Sequence, residues 1–219
     1  MDIGGLLAKA ELFRTLGDDA LAQIVADASA IALQRNDLVF SEDDAADRLY
    51  VVLSGRIAIA RRSVDGRESV VALMEEGDLF GEMSLFDGEG RSADARALEP
   101  SELVEVPFDA VRRVLEAKPE LLWGVVALLA QRIRVTDAAL ADSVFLDVTG
   151  RTAKRLLELA GEADEFILPV TQEELAAMVG ASRERVNKAI SAFIRLGWIE
   201  QGDRRYRILD RVQLTRRSA

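Results

Sequence analysis

The sequence predicts an α+β chain in three parts: a front half of short β-strands, one long helix, and a small helical domain with a two-stranded tail. Three observations predict it. From Ile31 to Val106, short apolar or alternating runs are separated by glycine or acidic turns, the pattern of an all-β sandwich or barrel. From Pro119 to Phe145, apolar residues recur at helical spacing with few breakers. After Asp147, two capped helical segments flank Gly180 and precede two short strands.

Each element has its own signal. Leu6, Leu7 and Ala10, then Leu21, Ile24 and Val25, predict short helices within residues 5–28. Strands are predicted at Val39-Phe40, at the Leu49-to-Leu53 run, around Ile57 and Ile59, and at Val70 to Leu73. Ser54-Gly55, Asp65-Gly66 and Gly77-Asp78 supply the turns, Asp65-Gly66 being a hairpin signal. A last strand pair is expected at 93–98 and 103–106, turning at Pro100. Pro119 suits a first helical turn, where its missing N–H costs nothing. Leu121, Leu122, Val125, Leu128, Leu129, Ile133, Thr136, Ala139, Leu140 and Val144 then form a stripe on a helix roughly 40 Å long at ~1.5 Å per residue. That is longer than an acidic β-domain needs for its own core, so a seam with a second copy is expected over simple packing. A hinge is expected at Asp147-Val148-Thr149-Gly150, with helix resuming at Arg151. The expected domains are 1–118, 119–147 and 148–219.

Composition narrows the chemistry. The 219 residues contain no cysteine, which removes disulfides, thiolate metal sites, iron–sulfur clusters and cysteine nucleophiles. They contain no histidine, which removes the commonest metal ligand and every Ser-His-Asp triad. The acidic runs Glu42-Asp43-Asp44 and Glu75-Glu76-Gly77-Asp78 are the only support for a metal-assisted hydrolase, and they read better as solvated turns. No export signal or apolar run of spanning length is read, so the cytosol is the expected compartment, with no membrane partner. The net charge of −10 is uneven: residues 1–147 balance at −13 and residues 148–219 at +3. An acidic front and a basic back suggest that only the back meets a polyanion.

The back carries a motif. Thr171 and Glu174 form a capping box opening a helix that runs to Val179, where Gly180 gives a left-handed stop. Ser182 caps a second helix ending before Gly197. Val186, Ile190 and Phe193 share one face of it, while Arg183, Glu184, Asn187 and Lys188 share an outward one. Arginine or lysine to guanine and glutamate to cytosine are major-groove pairings, so this helix-turn-helix suits base reading. Arg185 adds a cation near the phosphates, and Thr171 and Gln172 lie at the start of the first helix. Two strands around Gly202-Asp203 form a wing, with Arg204 and Arg205 aimed at phosphates.

The front carries another, Gly77 to Ala93. Gly81 opens a short helix with free amides, Arg91 offers a planar fork, Ser92 a hydroxyl, and Glu82 two acceptor oxygens for a ribose. These parts suit one phosphate and one sugar. The same residues also read as an ion pair, Glu82 to Arg91, closing a loop.

Three segments together resemble the cyclic-AMP receptor protein branch of the CRP/FNR regulators: Gly81-Glu82 through Arg91-Ser92-Ala93, Arg134-Val135-Thr136 through Asp147 to Arg151, and Val179 to Glu184. The resemblance covers nearly the whole chain. It implies a cyclic-nucleotide-binding β-roll (a jelly-roll-like double-stranded helix of strands), a long dimerisation helix and a winged helix-turn-helix. It implies cAMP as allosteric effector rather than catalytic cofactor, held by Gly81, Glu82, Met83, Ser84, Arg91, Ser92 and Ala93. Thr136 would meet the purine and Asp137 would reach across from the partner subunit. Arg183, Glu184 and Lys188 would read a TGTGA-like half-site, and RNA polymerase would be a further partner.

The chain departs from the family pattern twice. Asp137 stands where a small polar residue is usual. Its carboxylate would accept an adenine amino group and repel a guanine carbonyl, favouring cAMP over cGMP. Lys188 stands where the best-known members carry arginine, replacing a fork with a point charge. Without cysteine or histidine, the cluster-bearing and haem-bearing branches do not fit, so no metal, haem or iron–sulfur cluster is expected.

Overall fold

A computed structural model of the chain describes residues 3–64, 68–203 and 205–219. The expected Asp65-Gly66 hairpin and the wing residue Arg204 lie outside the described residues. In chain order the elements are α1 (Ile3–Leu7), α2 (Asp18–Asp27), β1 (Ser29–Leu33), β2 (Leu38–Phe40), β3 (Arg48–Ser54), β4 (Ile57–Arg62), β5 (Glu68–Met74), β6 (Leu79–Phe80), α3 (Met83–Asp87), β7 (Asp94–Ala97) and β8 (Ser101–Pro107). There follow α4 (Phe108–Ala117), a 3₁₀ turn (Pro119–Leu121), α5 (Leu122–Phe145), α6 (Val148–Ala160), β9 (Glu165–Ile167), α7 (Gln172–Val179), α8 (Arg183–Arg195), β10 (Ile199–Gly202), β11 (Arg205–Ile208) and α9 (Arg211–Arg217). The chain divides into two compact units, 1–63 with 71–134, and 64–70 with 135–219.

The first unit is built on two four-stranded sheets, β1-β8-β3-β6 and β2-β7-β4-β5. Strand β3 is covered on both faces, which is why its sequence is a continuous apolar run. Alternation along a strand sends Leu49 and Val51 toward one core and Tyr50 and Val52 toward another. The first core lies against α1, α2, α4 and the start of α5, through Phe13, Ile24, Phe108, Val111, Val125 and Leu128. The second joins Tyr50, Val52, Ile57, Phe80, Ala95 and Leu103.

The last strand pair is not a pair. Strand β7 lies between β2 and β4, and β8 between β1 and β3. The chain changes sheets at Pro100. Gly55, at φ +83°, sits against this crossing, where a Cβ would come within 2.7 Å of the Pro100 carbonyl oxygen. A side chain there would collide with backbone, so the turn needs glycine. Helix α4 has no counterpart in the sequence reading, although Phe108, Val111 and Val114 carry its buried face at helical spacing.

Pro119 occupies the first position of the 3₁₀ turn leading into α5. The expected apolar stripe on α5 resolves into two faces. Val125 and Leu128 are buried in the chain's own core, whereas Trp123, Val126, Ile133, Leu140 and Val144 are exposed.

In the second unit, helix resumes earlier than expected. Only Leu146-Asp147 interrupts it, because the Asp147 carboxylate accepts the Gly150 amide at 2.8 Å and starts α6 at Val148. The remaining elements include a three-stranded sheet, β10-β11-β9, of which the sequence reading held two strands. It also lacked α9, whose start Asp210 caps by accepting the Gln213 amide.

Candidate functional site: a polar cradle and a recognition helix

The cradle begins where β6 ends. Gly81 takes φ +76°, turning the chain sharply before Glu82 and the single-turn helix α3. A Cβ on Gly81 would meet the Arg91 Nη1 at 2.7 Å, so glycine leaves room for the guanidinium. The Arg91 backbone is fixed on the turn before β3: its amide donates to the Asp44 carbonyl, and its carbonyl accepts from the Asp43 amide.

Arg91 is 4% exposed. Its Nη1 donates to the Gly81 carbonyl at 2.7 Å and its Nη2 to the Arg48 carbonyl at 2.8 Å. Its guanidinium lies 4.1 Å from the Phe40 ring centre, with Tyr50 and Phe108 farther out, a cation–π box. Burial pulls its pKa down. Its Nε is buried with no hydrogen-bond partner among the described residues.

Glu82 is 1% exposed, and burial pushes its carboxyl pKa up against the opposing pull of Arg132. Arg132, on α5, places Nε 3.3 Å from Glu82 Oε1 and donates from Nη2 to the Leu79 carbonyl. Oε1 nevertheless has no hydrogen-bond donor among the described residues. The loop-closing ion pair between Glu82 and Arg91 does not form among the described residues. Arg91 points at carbonyls and rings, while Glu82 faces Arg132.

The smaller residues split in role. Ser84 is buried and donates to the Gly90 carbonyl, closing the loop, and Ala93 is buried in it. Met83 and Ser92 are exposed at its edge, with the Ser92 hydroxyl 3.6 Å from the Met83 sulfur. Thr136 and Asp137 are exposed on α5. The sequence reading missed Arg132, and the available signal was that Arg132 and Arg134 interrupt a largely apolar helical run. It also missed the aromatic wall of Phe40, Tyr50 and Phe108, which only the fold assembles.

The helix-turn-helix has the expected caps. Thr171 Oγ1 accepts the Glu174 amide and the Glu174 carboxylate accepts the Thr171 amide, a reciprocal capping box. Gly180 is left-handed, and Ser182 Oγ accepts the Arg185 amide to start α8. Val186, Ile190 and Phe193 are buried, and Arg183, Glu184, Arg185 and Lys188 are exposed. Asn187 differs from the expected outward set: it is half-buried and its Oδ1 is sealed from water without a partner among the described residues. Gln172 is turned inward, donating to the buried Tyr206 hydroxyl at 3.0 Å. Arg205 is held at 2.7 Å by Glu165 on β9, the strand that the sequence reading lacked, so its charge is partly spoken for.

Two arginines fasten the junction before α6. Arg217, on α9, pairs with Asp147, and Arg151 donates to the Leu146 and Val179 carbonyls. The Gly150 amide and the Arg217 guanidinium hold the Asp147 carboxyl below the usual carboxylate range.

Residues 30–118 match the family model of a cyclic nucleotide-binding domain, and residues 150–217 that of a Crp-like helix-turn-helix domain. The chain belongs to the CRP/FNR family of transcription regulators. It is 38% identical to the CRP-like cAMP-activated global transcriptional regulator of Mycobacterium tuberculosis, over 97% of this chain and 98% of that one. A solved Thermus thermophilus catabolite activator protein matches with TM-score 0.55 and 29% identity, covering 95% and 98% of the two chains. The regulator CLP of Xanthomonas campestris, described as c-di-GMP responsive, shares the fold at TM-score 0.76 and 24% identity, over 88% of this chain and 99% of that one. Within the family this chain is a DNA-binding transcription regulator carrying a cyclic-nucleotide-binding domain, and not an enzyme.

Proposed function

We propose that this CRP/FNR member is a homodimer controlled by cAMP, which binds a palindromic operator of TGTGA-like half-sites about one helical turn apart. The observation that carries the reading is the cradle. A buried carboxylate whose Oε1 is ion-paired with Arg132 but accepts no hydrogen bond among the described residues, and a buried guanidinium whose Nε has no hydrogen-bond partner among them, lie on one glycine-turned segment. A cyclic phosphate would offer Arg91 a charged acceptor in place of neutral carbonyls, and a ribose hydroxyl would satisfy Glu82 Oε1. Ser92 and Met83 border the same loop, and Ser84 and Ala93 shape it. Thr136 and Asp137 enter as purine contacts through the family resemblance alone.

The effector domain is taken as 1–118, the dimerisation helix and hinge as 119–147, and the DNA-binding domain as 148–219. Arg183, Glu184 and Lys188 would read bases, with Arg185, Arg204 and Arg205 near phosphates. RNA polymerase would be a further partner, in the cytoplasm. No metal, haem or iron–sulfur cluster enters the scheme. Ligand binding biases the DNA-competent state only by its differential affinity for the two states.

A second reading has its own support. Arg91 already donates to two carbonyls of its own chain, so the cradle is partly filled from within. On that reading the pocket is vestigial, and DNA binding is constitutive or answers another effector.

Calorimetric titration with cAMP and cGMP, on wild type and Arg91→Ala, separates the readings. Tight cAMP binding, weaker cGMP binding and loss of both in the variant are expected. DNA titration at fixed salt should then tighten with cAMP. No heat from either nucleotide, with no thermal stabilisation, overturns cAMP control and favours the second reading.

A further inference from the structure

The exposed face of the three-stranded sheet carries a charge pattern set by its register. Alternation along β11 buries Tyr206 and Ile208 and leaves Arg205 and Arg207 in water. Arg207 stands in a row of three, with Glu165 of β9 on one side and Glu200 of β10 on the other. Arg205 stands in the next row toward the wing turn, between Ile167 and Gly202, with no acid in its row. Its Nη1 nevertheless reaches across to Glu165 Oε1 at 2.7 Å. The other oxygen, Oε2, accepts from Arg207 Nε at 3.3 Å and from Nη2 at 3.1 Å. The bonds from Arg205 and Arg207 hold the Glu165 carboxyl below the usual carboxylate range.

The two arginines are not equally held. Arg207 has a second acid, with Glu200 Oε2 3.5 Å from its Nη1. Among the described residues Arg205 has Glu165 alone. Its side chain is 62% exposed, two residues from Asp203 in the turn. Exposed pairs of this kind add little to stability, because water and side-chain entropy compete with them. Such a pair still decides what an arginine binds next, since a phosphate must displace the carboxylate to use the same fork. We infer that Glu165 is a brake on DNA affinity: it occupies Arg205 in the free protein, so that contact between the wing and a phosphate costs an ion pair. Arg207 anchors the brake. The inference rests on the reading of Arg205 as a phosphate contact. Phosphate contacts carry no sequence information, so the brake sets how tightly DNA is bound and not which DNA is preferred.

Fluorescence anisotropy at fixed salt tests it, with cAMP present, on a TGTGA-like palindrome and on a random duplex of equal length. With two wings per dimer, Glu165→Gln should tighten binding to both duplexes about threefold to tenfold. The thermal midpoint should not move. The same substitution on an Arg205→Ala background should gain nothing. Glu200→Gln removes an equal charge beside Arg207 and should gain less than about twofold. An equal gain with and without Arg205 makes Glu165 a plain repellent of DNA and overturns the inference, as does an equal gain from Glu200→Gln. Weaker binding by Arg205→Ala with no gain from Glu165→Gln upholds the wing contact and overturns the brake. If neither variant moves the affinity while Arg183→Ala lowers it, the wing contact itself is overturned, and the brake with it.

Discussion

The cradle and the recognition helix keep their charges in opposite places. Glu82 and Arg91 are buried, each with an atom lacking a hydrogen-bond partner among the described residues. Arg183, Glu184, Arg185 and Lys188 stand in water. A buried polar atom without a partner costs about 1–3 kcal/mol, whereas a solvated one costs nothing. The first unit therefore holds a polar mismatch that an incoming ligand can resolve. In the second, the charged side chains are already solvated, Asn187 Oδ1 being the buried exception, and they bind by exchanging water and counterions and so respond to salt. A sensor and a reader differ here in where desolvation has already been done.

Substitutions can break or sharpen this contrast. The largest effect is expected at the exposed face. Arg183→Ala should weaken binding to a TGTGA-like palindrome about tenfold to a hundredfold, since a bidentate base contact is worth about 1–3 kcal/mol. Fluorescence anisotropy at fixed salt, with single-base operator variants, would read it, and the thermal midpoint should not move.

Glu82→Gln should do the reverse, trading ligand for stability. Nucleotide affinity should fall about tenfold, and the melting temperature should rise at neutral pH. The sign follows from the raised carboxyl pKa. Its contribution to stability is full at low pH and is lost as pH rises through the folded value. The variant's advantage should therefore vanish on acidification, as a pH series of thermal melts would read.

Asp147→Ala removes a helix cap and should cost about 1 kcal/mol at neutral pH. Here the carboxyl pKa is lowered, so the native residue stabilises above the ordinary carboxylate range and loses that contribution as pH falls through the folded value. The gap between variant and wild-type melts should close in acid. The smallest effect is expected from Lys188→Arg, which restores a fork in place of a point charge and should sharpen discrimination at one base pair by about threefold.

Legibility in the sequence followed the same division. The caps at Thr171 and Ser182, the stop at Gly180 and the exposed face of α8 are local features, set by residues within a turn of one another. All could be read directly. Asn187 could not, because whether its amide faces water depends on packing from other elements. The Gly81-to-Ala93 segment announced its composition but not its partners. Arg132 comes from a helix 41 residues beyond Arg91, and Phe40 and Tyr50 from strands that precede it. Strands β7 and β8 were found but wrongly joined, since adjacency in sequence carries no information about a change of sheet. Strand β9 was missed because Glu165-Phe166-Ile167 is too short for periodicity to register. Its absence from the reading made Arg205 look free for phosphate.

The register Ser29↔Glu105 sets a timetable. Among the described residues β1 is an edge strand whose one sheet neighbour is β8, so its pairing waits until the ribosome has made some 75 further residues. At about 5–20 residues per second, that is a wait of roughly four to fifteen seconds with an open backbone edge. Closure of the roll is a late, all-at-once event in the life of the nascent chain. The second unit has a wait of its own, since α6 packs against α9 and β9 pairs with β11, some 40 to 60 residues later. In a newly synthesised chain, the sensor's first sheet is finished only when translation has reached its last strand, shortly before the long helix begins to emerge.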